Sequence, residues 1–220
     1  MWRLRSNRFL LPNPDFISDM NSGILSNKVI LILSPQAWGK MLLAKHHYAI
    51  ELANRGNQVY YLNPPDNVRW KLAKKENRIR IEPLSAHPGL FIIHHQLYFP
   101  YNLKFHFRDL YDLLIKRQIK DIMQAIPKPV EIIWSFDLGN LLPLHFFKGK
   151  IFKIFHPVDE PRDVQAIRAA EGADVLFSVT KEIIGKYESF QIPSNFINHG
   201  LADEFLVEAP KEISSDDTIN

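Results

Sequence analysis

The sequence predicts an α/β fold: a doubly wound, mostly parallel sheet with helices on both faces. Short apolar, β-branched runs alternate along the chain with amphipathic helical stretches, which is the order typical of parallel sheets. The first run, KVILILS at 28–34, is apolar almost throughout, as expected for a strand that is covered on both faces. The chain has 220 residues and is 46% hydrophobic, so it can bury a sizeable core.

The N-terminal half begins with a β-α-β unit. The run at 28–34 is followed by a helix over about 41–54, whose apolar residues fall on one side. Gly56 suits the position just after that helix, where left-handed backbone is common. QVYYLNPP at 58–65 is the second strand, and its two prolines end it. Within 66–104, RIRIEPL and LFIIHHQ have the composition of short strands, and YFPYNLKF has that of an aromatic loop.

The clearest helix covers about 105–126. Its apolar residues recur at spacings of three and four, and charged residues form a second stripe at the same spacings. Thr180 suits the N-cap of a later helix. The elements predicted after the clearest helix are strands at 130–136, 150–156, 173–179 and 194–200, and helices at 161–172 and 180–190.

The sequence divides into three segments. We expect 1–27 to be a partly disordered lead-in, with Met20 as an alternative start of the natural chain. Residues 28–205 contain all the predicted elements and form one Rossmann-like domain. The polar segment 206–220 has no apolar face and is expected to be an inter-domain linker or tail.

Composition excludes several classes of protein. There is no cysteine, which excludes disulfides and thiolate metal sites. No apolar run approaches the ~20 residues of a membrane-spanning helix. Residues 1–80 carry 13 Lys and Arg against 5 Asp and Glu, so this half can attract phosphates, an anionic membrane or nucleic acid. Aromatic and basic residues are interleaved in 68–80, but no nucleic-acid-binding module is recognisable, so we expect no nucleic-acid partner.

The loop after the first strand, SPQAWGK, is one candidate binding site, because parallel sheets bind ligands at the carboxyl ends of their strands. It holds one glycine, so it is neither a dinucleotide-binding motif nor a P-loop. Trp38, Lys40, Lys45 and His46 provide an aromatic wall and cationic groups near a helix N-terminus, which suits a sugar ring or an anion. In the alternative interpretation, Trp38 plugs the end of the sheet and His46 is a packed histidine.

Acidic residues follow two later strands, in WSFDLGN and FHPVDEP. Asp137 and Asp159 would therefore lie on the ligand edge, with His156 close to Asp159. A carboxylate or histidine there can take a proton from an attacking hydroxyl. Alternatively, these aspartates cap helices: Asp137 the short helix that follows it, and Asp159 or Asp163 the next one. The remaining histidines show no metal-ligand spacing.

Five segments resemble those of one family, in the same order across about 28–205. KHHYAIELANRGNQVYYLNPP is similar to the first helix and second strand of GT-B glycosyltransferases that modify bacterial cell-surface polysaccharides and glycolipids. IIWSFDLGNLL, KIFKIFHPVDEP, GADVLFSVTKEIIGKY and INHGLADEF resemble later segments of that family. The chain departs from the family pattern at Asp159-Glu160, where the family has two aspartates, and at 198–201, where the family has NGVD.

The resemblance implies that the chain is one half of a GT-B fold, the N-terminal domain that mainly holds the acceptor. The donor-binding C-terminal domain would be absent, and this chain alone would be inactive. The whole enzyme would transfer a sugar from a nucleotide-sugar donor to a lipid-linked or polysaccharide acceptor. If the enzyme inverts the anomeric configuration, one carboxylate of this domain would take the acceptor proton, with Asp159 as the first candidate and Asp137 as the second. The positioning residues would be Trp38, Lys40, Lys45, His46, His156, Glu160 and His199.

The resemblance also implies where the enzyme works and what it needs. No metal or other cofactor is expected, because GT-B enzymes stabilise the leaving diphosphate with helix dipoles and basic side chains. The enzyme would be cytoplasmic. The basic, aromatic segments 68–80 and 98–108 could contact an anionic membrane, where a lipid-linked acceptor resides, at its inner face; the alternative is that they are solvated basic loops. The alternative function is a non-catalytic Rossmann-like module that binds a ligand or regulates another protein.

Overall fold

The computed structural model describes residues 25–39, 41–66 and 78–197. The strands in this part of the chain are β1 (Val29–Leu33), β2 (Gln58–Leu62), β3 (Ile79–Pro83), β4 (Leu90–His95), β5 (Ile132–Ser135), β6 (Phe152–Phe155), β7 (Val175–Ser178) and β8 (Ser194–Phe196). The helices are α1 (Ala44–Asn54), α2 (Leu103–His106), α3 (Arg108–Ala125), α4 (Val164–Arg168) and α5 (Lys181–Gly185), with 3₁₀ turns at Leu144–Phe146 and Glu188–Phe190.

The described strands form one eight-stranded sheet in the order β3-β4-β2-β1-β5-β6-β7-β8. Neighbouring strands pair in parallel, except that β3 runs antiparallel to β4. β3 lies at the edge and its residues are half-buried or exposed, whereas all five residues of β1 are buried. An antiparallel strand is tolerated at an edge because one of its faces can meet water.

Helices cover both faces of the sheet, as the sequence predicts. On one face Ala49, Leu52 and Ala53 of α1 pack on a core that includes Ile30, Ile32 and Tyr61. On the other face the core contains residues of α3 and α5 and the turn that follows α4. The connection through α1 leads from β1 to β2, toward the β3 edge of the sheet. The connections through α3, α4 and α5 lead the other way, toward the β8 edge. Because such crossovers are nearly always right-handed, opposite directions place the helices on opposite faces.

Several local predictions are confirmed, and others need correction. Gly56 follows α1 with φ of +83°, and the Thr180 hydroxyl accepts a hydrogen bond from Ile183 N at the start of α5. The helices predicted at 161–172 and 180–190 are shorter than expected. α4 ends at Arg168 in a turn that leads to Gly172 with φ of +84°, and α5 ends at Gly185 before a 3₁₀ turn. The predicted segments 1–27 and 206–220 lie mostly or wholly outside the described residues.

The predicted helix at 105–126 is two helices. α2 ends at Phe107, whose backbone leaves the helical region at φ −138° and ψ 70°, and α3 begins directly after it. Part of the predicted aromatic loop is therefore helical. Among the described helices, none has the length and apolar content needed to cross a membrane.

His95, at the end of β4, is a buried titratable group in this fold. Its Nδ1 lies 3.4 Å from Nε2 of Gln118 on α3, and burial lowers the pKa of the ring from 6.5 to about 4. The folded state therefore resists protonating His95 in a pH range where the unfolded chain takes up the proton. The contribution of neutral His95 to the unfolding free energy is complete above about pH 6.5 and is lost as the pH falls toward about 4.

We expect the unfolding free energy of the His95→Gln variant to fall less than that of wild type between about pH 6.5 and about 4. The lowered pKa corresponds to about 3 kcal/mol of unfolding free energy lost between the two pKa values, and glutamine does not titrate. Urea unfolding of both proteins at a series of pH values measures this difference. Parallel profiles for wild type and variant would show that His95 does not carry the acid sensitivity.

Candidate functional site

The carboxyl edge of the sheet has a topological switch point between β1 and β5. These neighbouring parallel strands are followed by connections that leave toward opposite faces, α1 on one side and the 136–151 segment on the other. Such a divergence opens a crevice, and open α/β sheets bind ligands there. The loops 34–39, 136–143 and 156–163 follow β1, β5 and β6 at this edge and contain most of the predicted site residues that lie in the described part of the chain.

Trp38 is half-buried. It lies in the loop after β1 and contacts the end of β2. Its backbone N donates to Asn63 Oδ1 at 2.8 Å. Its ring lies edge-on to His46 and Tyr61, with centroid distances of 5.0 and 5.1 Å. Trp38 is therefore fixed in position and forms a rigid aromatic wall at the carboxyl edge.

His46 is buried and makes structural hydrogen bonds. Its Nδ1 accepts from the backbone N of Leu43 at 2.8 Å, so the proton of the neutral ring is on Nε2. Nε2 lies 2.9 Å from the Tyr61 hydroxyl, which donates to Ser34 Oγ at 2.6 Å. Burial lowers the pKa of His46, which favours the neutral ring. The geometry corresponds to the packed-histidine interpretation: His46 ties the start of α1 to β1 and β2.

Lys45 is 7% exposed, an unusual position for an ammonium group. Burial lowers its pKa, and attraction to Asp159 acts in the opposite direction. Asp159 is exposed in the loop after β6 and makes no hydrogen bond within the described residues. The Asp159 charge thus acts on Lys45 from the end of β6 without a close ion pair between these two described side chains, and the carboxylate remains accessible.

An aromatic cluster lies on this face of the sheet at the ends of β5, β6 and β7. His156 is buried among Trp134, Phe136, Phe177 and Tyr48, with ring centroids 5.0 to 6.2 Å apart. Trp134 Nε1 donates to His156 Nδ1 at 3.3 Å. This bond fixes the orientation of the His156 ring within the aromatic cluster.

Asp137 follows β5 and interacts with residues on the α3 side of the sheet. Its Oδ2 accepts from the backbone N of Leu141 at 2.7 Å, and a side chain at Gly139 would meet Oδ1 at 2.9 Å. Burial raises the pKa of the Asp137 carboxyl, while the backbone donors and the Lys104 charge lower it. Asp137 therefore has a structural role, as the capping alternative predicted, but it holds the 138–142 turn and does not cap a helix: the next helical turn begins at Leu144, after Pro143.

Lys104 and Tyr101 are partners of this site that the sequence prediction missed. Lys104 is buried, its Nζ donates to the carbonyl of Gly139, and its ammonium lies 5.7 Å from the Tyr101 ring. Burial lowers the pKa of Lys104, and the negative charge of Asp137 raises it. The sequence signal was their place in the loop after a parallel strand, but 33 residues separate Lys104 from Asp137 in the chain.

The remaining predicted site residues have separate positions. Asp163 caps α4, because its Oδ1 accepts from Ala166 N at 2.9 Å. Glu160 is exposed and pairs with Lys186 at 3.2 Å. Lys40 and His199 lie outside the described residues. Within the described part of the chain, no group of three or more His, Asp or Glu is arranged to hold a metal ion.

The edge thus carries two lysine–carboxylate pairs on its two sides. Asp159 and Lys45 lie on the side of α1, with Trp38 in the loop before that helix. Asp137 and Lys104 lie on the side of α3. Trp38, Asp137 and Asp159 share one edge of the sheet, because their strands are parallel neighbours. In the first pair the carboxylate is accessible, whereas in the second it is engaged in the backbone of a turn.

Comparison with known proteins assigns no family to this chain. No protein-family model matches it, and no curated protein matches it significantly. A function proposed for it therefore rests on the geometry of the carboxyl edge and on its sequence motifs.

We expect Asp137→Asn and Asp159→Asn to differ in stability. The first change leaves the buried Lys104 without its counter-charge and weakens the turn, so the unfolding free energy should fall by about 2 kcal/mol or more. The second affects an exposed carboxylate and should cost less than about 1 kcal/mol. Urea unfolding measures both, and equal losses would contradict the distinction between the two aspartates.

Proposed function

We propose that this chain is the acceptor-binding domain of a GT-B-type glycosyltransferase. The enzyme would transfer a sugar from a nucleotide-sugar donor to a hydroxyl of a lipid-linked or polysaccharide acceptor. The observation that carries the proposal is the accessible Asp159 carboxylate at the carboxyl edge, next to the buried Lys45. The order of the five sequence segments described above supports the same family.

In this proposal Asp159 is the general base. It takes the proton of the acceptor hydroxyl as that oxygen bonds to the anomeric carbon of the donor sugar. The bond from the anomeric carbon to the diphosphate oxygen breaks, and its electron pair leaves with the nucleoside diphosphate. A base must reach the hydroxyl directly, which favours Asp159 over Asp137, whose oxygens are engaged in the 138–142 turn.

Trp38 and Lys45 position the reactants. Trp38, in the loop after β1, is held by its contact with His46, and Lys45, in the first turn of α1, is held by burial. The half-buried Trp38 ring can pack against the apolar face of a sugar, and the Lys45 cation can attract an acceptor or donor phosphate. A second domain would bind the donor and close over this edge.

A non-catalytic binding module is the second candidate, because two predicted site residues have structural roles. His46 ties α1 to the sheet and Asp137 holds a turn, so neither is left free for chemistry. In such a module Trp38 and Lys45 would hold a sugar or an anion without turnover. Ligand binding by the natural full-length protein, with no turnover of any sugar nucleotide, would favour this candidate.

We expect Asp159→Asn to lower kcat of the full-length gene product by about 10²- to 10⁴-fold, the usual contribution of a general base. Turnover is measured by release of nucleoside diphosphate from a panel of sugar nucleotides. Glu182→Gln is the matched control: it removes an exposed carboxylate at the start of α5, outside the candidate site, and should keep turnover near that of wild type. Wild-type turnover in Asp159→Asn would exclude Asp159 as the base.

A further inference from the structure

Exposed apolar side chains are concentrated on α2 and on the start of α3. Among the described residues, five of the nine exposed large apolar side chains lie between residues 101 and 113. They form what we call the apolar patch, and these are Tyr101, Phe105, Phe107, Leu110 and Leu113. Phe105 and Leu113 are each about two-thirds exposed, at 66% and 65%. Exposed apolar residues that lie together in this way mark interaction sites.

Helix α3 has apolar residues on two opposite sides. Its core side carries Tyr111, Ile115 and Ile119, which are all buried. Leu113 is two residues from both Tyr111 and Ile115, so at about 100° per residue it lies on nearly the opposite side of the helix. Leu110 and Leu113 are both exposed. Because the core of the domain does not bury this outer side, we expect another contact to cover it.

The charges on the outer side of α3 are ordered along the helix. Asp109, Leu113 and Arg117 are spaced by four residues and share one side of the helix, and all three are exposed. An acidic residue therefore lies one turn before the exposed leucine, and a basic residue lies one turn after it. Neither Asp109 nor Arg117 forms an ion pair with another described residue, whereas the nearby Asp112 lies 4.0 Å from Arg108. Both charges are thus available to a partner.

This order of charges is complementary to itself when two copies of α3 pack antiparallel. A two-fold axis at Leu113 brings the two leucines together and places Asp109 of each copy next to Arg117 of the other. The ion pair forms twice, at about 6 Å on either side of the axis, since each helical residue rises by about 1.5 Å. A parallel arrangement would instead place Asp109 against Asp109 and Arg117 against Arg117.

The size of the apolar patch fits such a dimer. A large apolar side chain has roughly 200 Å² of surface, so the exposed parts of the five side chains amount to roughly 500 Å² per copy. A stable interface buries about 800 Å² per partner, and homodimer interfaces are about 65% apolar, which is again roughly 500 Å². The apolar patch therefore supplies the apolar part of an interface of ordinary size.

We propose that the chain forms a two-fold dimer through the apolar patch, with the two α3 helices antiparallel and in contact at Leu113. The interface borders the α3 side of the carboxyl edge, because the Tyr101 ring lies 5.7 Å from the Lys104 ammonium. It leaves Lys45 and Asp159, on the α1 side, accessible to a ligand. The proposal does not depend on the glycosyltransferase assignment, so each can fail separately.

The test is sedimentation equilibrium of the full chain, for which we expect a monomer–dimer equilibrium in wild type. Asp109→Arg and Arg117→Asp should each lower the association constant by about tenfold or more, because each change brings like charges together in both symmetric pairs. The double variant, Asp109→Arg with Arg117→Asp, restores both pairs with exchanged signs. We therefore expect it to recover most of the association of wild type.

Leu113→Asp should abolish the dimer, because it places two carboxylates at the two-fold axis. Phe196→Ser is the matched control: it removes a 49%-exposed phenylalanine on the edge strand β8 and should associate like wild type. Thermal unfolding shows whether each variant is folded. Recovery of the dimer in the double charge variant excludes loss of folding as the cause in the single variants.

Interfaces of ordinary size have dissociation constants from micromolar to picomolar, so a wild type that stays monomeric at about 100 μM would overturn the proposal. The apolar patch would then serve a partner of another kind. A dimer that persists in Leu113→Asp would also overturn it, as would single charge variants that weaken the dimer without recovery in the double variant.

Discussion

The structure depends on the complete burial of β1 between two parallel neighbours. All five of its residues are buried, and it hydrogen-bonds to β2 on one side and to β5 on the other. A strand in this position can have no polar face, which explains its unbroken apolar sequence. The connections that follow β1 and β5 leave toward opposite faces of the sheet, so a topological switch point lies between the carboxyl ends of these two strands. The fold itself thus creates the place where chemistry is possible.

Buried lysines organise the two sides of that crevice. Lys45 and Lys104 both lose most of their contact with water, and the pKa of each is lowered as a result. Each has one aspartate whose charge partly offsets this loss, but the two aspartates have different environments. The Asp137 carboxyl is engaged with backbone donors, whereas Asp159 faces solvent. The same pair of residue types thus holds a turn on one side of the sheet and leaves a solvent-accessible carboxylate on the other.

Periodicity in the sequence is sufficient to predict most of the fold. The burial of β1, the amphipathic helices and the single-residue signals at Gly56 and Thr180 are local consequences of side-chain chemistry. The antiparallel direction of β3 was not predictable, because pairing direction depends on how the chain returns to the sheet edge. The division of one predicted helix into α2 and α3 also escaped prediction, since its apolar repeat continues through Phe107 while the backbone does not.

The sequence by itself determined that Trp38, Asp137 and Asp159 lie at one edge, because each follows a strand of a parallel sheet and carboxyl ends of such strands meet. Only the tertiary structure decided what each residue does there. Asp137 and Asp159 have the same chemistry and similar sequence context, yet one is held by the 138–142 turn and Lys104 and the other is open to solvent. The residues that bury a carboxylate or offset its charge come from segments far apart in the chain. A local sequence pattern cannot predict which segment packs against which carboxylate.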